Sequence, residues 1–474
     1  MFTVSQNKKS IEHIEHHIIG LYETQPTSLS FLEQWSENEG FKRLIKKKQI
    51  PSTYGAMTSV LSEEGRMYYF IGLGKKKNEQ TIPSIRTVIS TFFKDHHNLM
   101  YCDFVIYLDT FLLCENEVSQ LAEVIVTSRF KIHDYKEKTN KVDKNLSHIY
   151  ILTDLNKSEM AKQLKRGEAI GVGVNEARHF MNIPASLHRV SDIIHKVEVW
   201  KKQSEFEVDV LNQTDIEELG MGGLVSVANN SGQLLCISYT GCEHPSPHIG
   251  LIGCGVIELG QPLRKVGAAI CIAVLCILST LKPKVNVSLI MPVLSETKSL
   301  IEGEIVCSYQ GKTIEITNKD EKEKLLLADA ITFAKLKGAA QVCSIGSGQD
   351  EIGEMLGDEI IPMFVNDQNL QKRLEQSAEN AGETLWALPN YKPYRKLLKT
   401  SHLADVTNGN GAKAISLTTG LFLQEFAEQT PWVHFNLEAT GWRKAGGSDS
   451  EEQGGTGKLV RTLAATILSM TQNE

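Results

Sequence analysis

Few stretches of this 474-residue sequence place reactive residue types at a spacing that does chemistry, and each simple candidate lacks a part. GCGVIELG (253–260) stands after a strand-like run and before a helical one, where glycines would let a pyrophosphate approach a helix N-terminus. Its third required glycine is Glu258, and no first βαβ unit surrounds it, so a dinucleotide site is not expected. GLGKKK (72–77) lacks the spacing of a phosphate-binding loop and the Ser or Thr after its lysine, which leaves a solvated turn. His13, His16 and His17 offer imidazoles but no fourth ligand at a useful spacing, and read as surface histidines on an edge element. Lys46, Lys47 and Lys48 read as a solvated helix end, where cations complement the dipole. No G-x-S-x-G elbow and no H-E-x-x-H helix occurs, so the common serine and zinc hydrolase signatures are absent.

The elements that would position any site follow from periodicity. Up to about residue 155, strand-like runs (HIIGLYE, AMTSVL with RMYYFIGLG, FVIYLD, HIYILTD) alternate with helical patterns at 28–48, 82–94 and 118–126, which predicts βαβ units over a mostly parallel sheet. A long helical pattern from Lys157 ends before Pro184, which cannot continue a helix. A second α/β pattern follows, with strands at EVDVL, LLCISYT, HIGLIG and VNVSLIMPV and helices at 265–282, 322–337 and 458–470. The fold class is therefore α/β in two domains: a smaller N-terminal domain (1–155), a linking helix (156–190) and a larger C-terminal domain (191–474) whose central mixed sheet is flanked by helices. GGSDSEEQGGTG (446–457) is the one Gly-rich stretch and reads as a solvated connection.

Composition narrows the function classes. Hydrophobic residues at 41% allow a large core, and a net charge of −7 spread over mixed charges gives no general field for phosphate backbones, so nucleic acid is an unlikely partner. The nine cysteines are odd in number and never spaced C-x-x-C, which argues for a reducing, cytoplasmic setting rather than a disulfide framework. No signal-like apolar run opens the sequence, and Val266–Leu281 is shorter than the ~20 residues that span a bilayer, so a buried helix and no membrane are expected.

One set of segments is specific. In order, EARHFMNIPAS (176–186), DIEELGMGGLVSVANNS (215–231), GKTIEITNKD (311–320), LLLADAITFA (325–334), GETLWALP (382–389), SHLADVTN (401–408), FLQEF (422–426), WVHFNLEATGW (432–442) and GGTGKLVRTL (454–463) resemble the leucyl aminopeptidase (cytosol aminopeptidase) family. The resemblance covers about residues 167–470. It implies a site with two divalent metals bridged by a water or hydroxide, held by several carboxylates, because two close cations lower the water's pKa and stabilise the oxyanion.

The residues that match the family's site depart from its pattern. Where the family has G-K-G-x-T-F-D-[ST]-G-G this chain has GCGVIELGQ, so Cys254 stands for the lysine ligand and Leu259 for the aspartate. The following stretch with the catalytic lysine is deleted, and KVGAA stands for D-M-G-G-A-A, which assigns Lys265 to the next aspartate. N-T-D-A-E-G-R-L becomes NKDEKEKL (318–325): Asp320 is retained, Lys322 replaces the glutamate ligand and Lys324 the catalytic arginine. The loop resembling A-T-L-T-G-A is SIGSGQ (344–349).

One carboxylate beside two ammonium groups repels divalent ions by several kcal/mol. The resemblance with these losses therefore implies a catalytically inactive member, a pseudopeptidase without cofactor, acting in binding, regulation or structure. Its expected partner is itself in a homo-oligomer, a hexamer by the family's pattern, with an active relative or another protein as further partners. The rival reading is an aminopeptidase with a rebuilt Mn or Zn site, and a third is nucleic-acid binding by the assembled oligomer. A lone metal on Asp320 with Glu258, Glu321 or Glu323 is disfavoured, since glutamates at a helix start are expected to face solvent. With no metal, Asp320 is expected within salt-bridge distance of Lys265 or Lys322, the alternative being that it caps the helix near Lys322.

Overall fold

The computed structural model describes the chain apart from residues 24–42, 46, 48, 76–80, 97–98, 100, 132–147, 204–205, 244–248, 349–351, 410–413, 445–452 and 473–474. Most of the expected helix over 28–48, apart from residues 43–45, which are helical, and 47, and most of the Gly-rich stretch at 446–457 fall on residues outside this description. The chain divides into two compact units, Met1–Val172 and Gly173–Glu474.

In the first unit the strands are β1 (Phe2–Ser5), β2 (His16–Tyr22), β3 (Met57–Leu61), β4 (Met67–Gly74), β5 (Phe104–Tyr107) and β6 (Ile149–Leu152), in the order β1-β6-β5-β2-β4-β3. All pair in parallel except the β3–β4 hairpin, as the alternation with α1 (Thr81–Asp95) and α2 (Glu115–Ser128) predicts. β2 lies between β4 and β5, so the expected surface position holds for His13 but not for His17, which is 1% exposed. The His17 ring stacks on Tyr68, its Nδ1 lies 3.0 Å from Tyr107 Oη and its Nε2 2.9 Å from the Ile14 carbonyl. Burial pushes its pKa down to about 4.

The helix α3 (Lys157–Asn182) runs through the division between the units and ends two residues before Pro184. The second unit is built on β7 (Phe206–Leu211), β8 (Gln233–Thr240), β9 (Ile249–Gly253), β10 (Gly255–Val256), β11 (Asn286–Leu294), β14 (Gln341–Gly346), β15 (Ile360–Val365), β16 (Thr384–Ala387) and β18 (Trp432–Asn436), with a small sheet of β12 (Ile305–Cys307), β13 (Thr313–Glu315) and β17 (Val406–Thr407). The large sheet runs β16-β15-β18-β14-β9-β11-β8-β7 with β10 beside β11. Its centre, β18-β14-β9-β11, is parallel and its flanks contain antiparallel pairs.

Central parallel strands are covered on both faces and so read as continuous apolar runs; β9 and β14 are buried at every residue. α4 (Val190–Gln203) leads into β7. α5 (Val266–Leu281) packs with β9, β11 and β14 and contacts α9 (Val460–Ser469), which in turn packs on α7 (Gln368–Ala381). α6 (Lys322–Leu336) packs with β9, β11 and β14 as well and is joined by α8 (Ile415–Ala427). The helical run Pro262–Leu281 is long and apolar enough to cross a membrane by length and composition, yet Val266–Leu278 is buried throughout, as a core helix must be.

Candidate functional site

At the end of β9 the chain has no room for side chains. A Cβ on Gly253 would lie 2.2 Å from the carbonyl carbon and oxygen of Gly267, and one on Gly267 would lie 2.7 Å from Gly253 Cα. The first turn of α5 therefore rests directly on the strand end, and the Ala268 N–H donates to the Cys254 carbonyl at 3.0 Å. Between them the chain makes only β10, a turn with Gly260 at φ 74°, and a 3-10 turn at Pro262–Lys265. This short connection, the N-terminus of α6 and the loop after β14 border a small solvent-open cleft.

The structure separates the residues assigned from sequence. Cys254 is fully buried, and burial followed by the nearby Glu323 charge drives its thiol pKa well up. Leu259 is 76% exposed on the turn. Asp320, Lys322 and Glu321 line the cleft. Lys265 does not. It is 3% exposed at the start of α5, donates to the Ile183 carbonyl at 2.6 Å, lies 3.4 Å from His188 Nδ1 and faces the Phe180 ring. Burial lowers its pKa to about 8, and burial with the Lys265 charge lowers that of His188 to about 4.

Arg264 takes the place expected for Lys265. It lines the cleft, with its Nη1 3.3 Å from Glu258 Oε2. The signal was in the motif: the aspartate of D-M-G-G-A-A precedes G-A-A by three positions, and three positions before Gly267 stands Arg264.

The Asp320 ion pair is also corrected. Asp320 is exposed, and among the described residues no ammonium or guanidinium lies within 4.0 Å of it. Lys265 is turned away, and Lys322 donates instead to Thr297 Oγ1 at 2.9 Å. Nor does Asp320 cap α6: the N-cap is Glu321, with no side-chain cap bond, and the Asp320 N–H donates to Asn318 Oδ1 at 3.0 Å.

Glu323, expected to face solvent, is half-buried with its carboxylate turned inward. Its Oε2 accepts from Ser347 N at 2.9 Å and Ser347 Oγ at 3.2 Å, while Oε1 is closed off from solvent without a hydrogen-bond partner. Burial raises its pKa to about 7, against the two Ser347 bonds and Arg264, which lower it. Helix spacing could have found it, because Glu323 shares a face with the buried Leu326 and Leu327 three and four residues on. Lys324 is 4% exposed and pairs with Glu321 at 3.3 Å, its Nζ also 3.4 Å from the Asn408 carbonyl. Beneath them His434 is held neutral, its pKa near 3 through burial and then the Lys324 charge. Among the described residues no group of three His, Cys, Asp or Glu side chains could hold a metal ion.

The catalytic-domain pattern of the cytosol aminopeptidase family matches residues 175–257 and 263–464. The chain belongs to the cytosol aminopeptidase family. The match breaks between 257 and 263, on the connection that borders the cleft. The chain is 29% identical to a probable cytosol aminopeptidase of Bacillus subtilis (strain 168), covering 98% of each protein. It is 30% identical to one from Bacillus licheniformis, covering 92% of this chain and 93% of the relative. Its fold matches a mutant of tomato leucine aminopeptidase with TM-score 0.83 at 20% identity, over 99% of this chain and 96% of the other. It also matches the bottromycin maturation enzyme BotP with TM-score 0.81 at 21% identity, over 97% and 100%. The expected two-domain α/β aminopeptidase fold is thereby borne out.

Proposed function

We propose that this member of the family does not hydrolyse peptides and acts instead in binding, regulation or structure as a cytoplasmic homo-oligomer. The observation that carries the reading is the pair of cations on the cleft wall, Arg264 and Lys322, at positions where the family pattern has an aspartate and a glutamate. Two divalent ions need several carboxylates around them, and two fixed cations repel them instead. The other two ligand positions add nothing: Cys254 is buried with its thiol held protonated, and Leu259 is an exposed hydrocarbon. The donors present do not fit a two-metal centre. Free thiols at all nine cysteines support the cytoplasmic setting.

A metal-dependent aminopeptidase with a rebuilt site has one observation in its favour, the carboxylates of Asp320, Glu321, Glu323 and Glu438 around one cleft. Elemental analysis of the purified protein beside a leucine-amide assay with added Mn and Zn separates the two. The inactive reading expects no stoichiometric transition metal and turnover at background. Metal-dependent turnover that follows the protein peak and vanishes on chelation overturns it.

A further inference from the structure

We propose that the 3-10 turn Lys392–Leu397, with the residues just after it, is a docking surface for an acidic, extended segment of a partner protein, held by Lys392, Lys396 and Lys399. The proposal rests on the reading above that the protein acts in binding, and gives that role a partner class. Its site is the surface beside α8, not the cleft.

From Tyr391 to Ala404 the sequence YKPYRKLLKTSHLA holds three lysines and an arginine and no carboxylate, in a chain whose net charge is −7. Where the neighbouring carboxylates are engaged decides what these cations can bind. Glu425 on α8 is taken up by Lys312, 3.2 Å from its Oε2, and by Arg395, 3.5 Å from its Oε1. Glu428 faces Lys335 at 2.7 Å. Asp405 accepts from Thr313 N and Oγ1 at 2.9 Å each, with Lys312 and Lys399 as the cations near it. Lys392, Lys396 and Lys399 are exposed, and among the described residues no carboxylate lies within 4.0 Å of any of them. The six cations named here outnumber the three carboxylates, so the local field is positive although the chain is acidic.

Local geometry sets the shape of the anion. The Leu398 N–H donates to the Arg395 carbonyl at 3.0 Å and the Lys399 N–H to that of Lys396 at 3.4 Å, so the i to i+3 pattern runs on past the turn. Residues three apart in such a turn lie one above the other, about 6 Å apart, which stacks Lys399 on Lys396. Alternate side chains of an extended chain repeat at about 6.6 Å on one face, so carboxylates at every second position match these two. A phosphate backbone fits less well. Three lysines neutralise about three phosphates, and the strand would run on over a surface that is acidic in sum.

The test uses the full-length protein and three labelled probes of equal length: a peptide alternating Glu and Thr, one alternating Gln and Thr, and an oligothymidylate. Fluorescence anisotropy at about 50 mM salt is expected to give saturable binding of the Glu-Thr peptide with Kd below about 100 μM, at least about tenfold tighter than for either other probe. Raising the salt to about 0.3 M should weaken it by about tenfold. The triple variant Lys392→Glu, Lys396→Glu and Lys399→Glu is expected to lower the affinity by about tenfold or more. The same change at Lys157, Lys201 and Lys284, exposed lysines elsewhere on the chain, should leave it within about threefold. Absence of saturable binding up to about 1 mM, equal binding of the Gln-Thr peptide, or equal losses in the two triple variants overturns the proposal. Oligothymidylate bound as tightly as the Glu-Thr peptide would assign the surface to phosphate and overturns it too. Should the first variant not fold, the comparison of the three probes on the unmodified protein decides alone. Absence of peptide binding overturns only the docking surface, whereas the leucine-amide assay decides the inactive reading.

Discussion

Glu323 and Asp329 are carboxylates on α6 whose pKa values burial raises, yet they serve the fold differently. Burial holds the Glu323 pKa near 7, above its ordinary 4.5, so the folded state binds its proton more tightly than the unfolded chain does. Stability from such a group is fully present below pH 4.5 and is lost as the pH rises through 7. His434 and His188, with pKa values lowered from 6.5 to about 3 and about 4, act in the other sense, losing stability as the pH falls below 6.5. The difference between wild type and Glu323→Gln isolates the carboxyl: wild type is expected to lose about 1–3 kcal/mol relative to the variant between pH 5 and 8 in urea melts. A pH-independent difference would refute it. Asp329, with its pKa raised to about 6 by burial, is also a structural acceptor, taking the backbone N–H of Leu224 at 2.9 Å and of Tyr309 at 2.8 Å. It ties α6 to two loops, and Asp329→Ala is expected to cost about 3 kcal/mol, because two buried N–H groups lose their partner at once. A melt within about 0.5 kcal/mol of wild type would show that the loops reorganise at no cost.

At the scale of elements, what was legible in the sequence is what periodicity and chain breaks encode. The strands of both units, the stop of α3 before Pro184 and the buried α5 follow from alternation, apolar runs and proline geometry, each local in sequence. The site was legible only as a set of positions. Which side chain enters the cleft depends on where a helix begins, and a one-residue difference in the start of α5 exchanges Lys265 for Arg264. Likewise the dipole argument for glutamates at the start of α6 weighed the helix alone, whereas the loop at Ser347 draws Glu323 inward. That start of α5 is fixed by backbone contact between Gly253 and Gly267. Gly253→Ala is expected to destabilise the larger unit by about 3 kcal/mol or more, since the new methyl meets backbone that cannot rotate away. The same substitution at Gly220, where φ is +75° but nothing lies within 4 Å, should cost only about 1 kcal/mol of backbone strain. Equal losses at the two sites in thermal melts would show that the contact does not set the register.

For the whole molecule, the edges of the large sheet bear on assembly. An exposed edge strand is a template for further pairing unless charges or cover blunt it. β7 at one edge carries Glu207 and Asp209 among its apolar residues. β16 at the other is TLWA, without a charge, and exposes Trp386 at 55%. The same unit leaves Leu403 76% and Tyr391 52% exposed. A charge-free edge with an open tryptophan is the surface a second copy would cover, which supports the proposed closed oligomer. Sedimentation equilibrium at low micromolar concentration is therefore expected to give a multiple of 52.7 kDa, six copies by the family's pattern. Trp386→Arg should shift the mass toward smaller species with little loss of monomer stability, because a half-exposed side chain contributes less to its own fold than to a contact that buries it. A wild-type mass of one copy would refute the assembly. A multiple that Trp386→Arg leaves unchanged would keep the oligomer but move its interface away from β16.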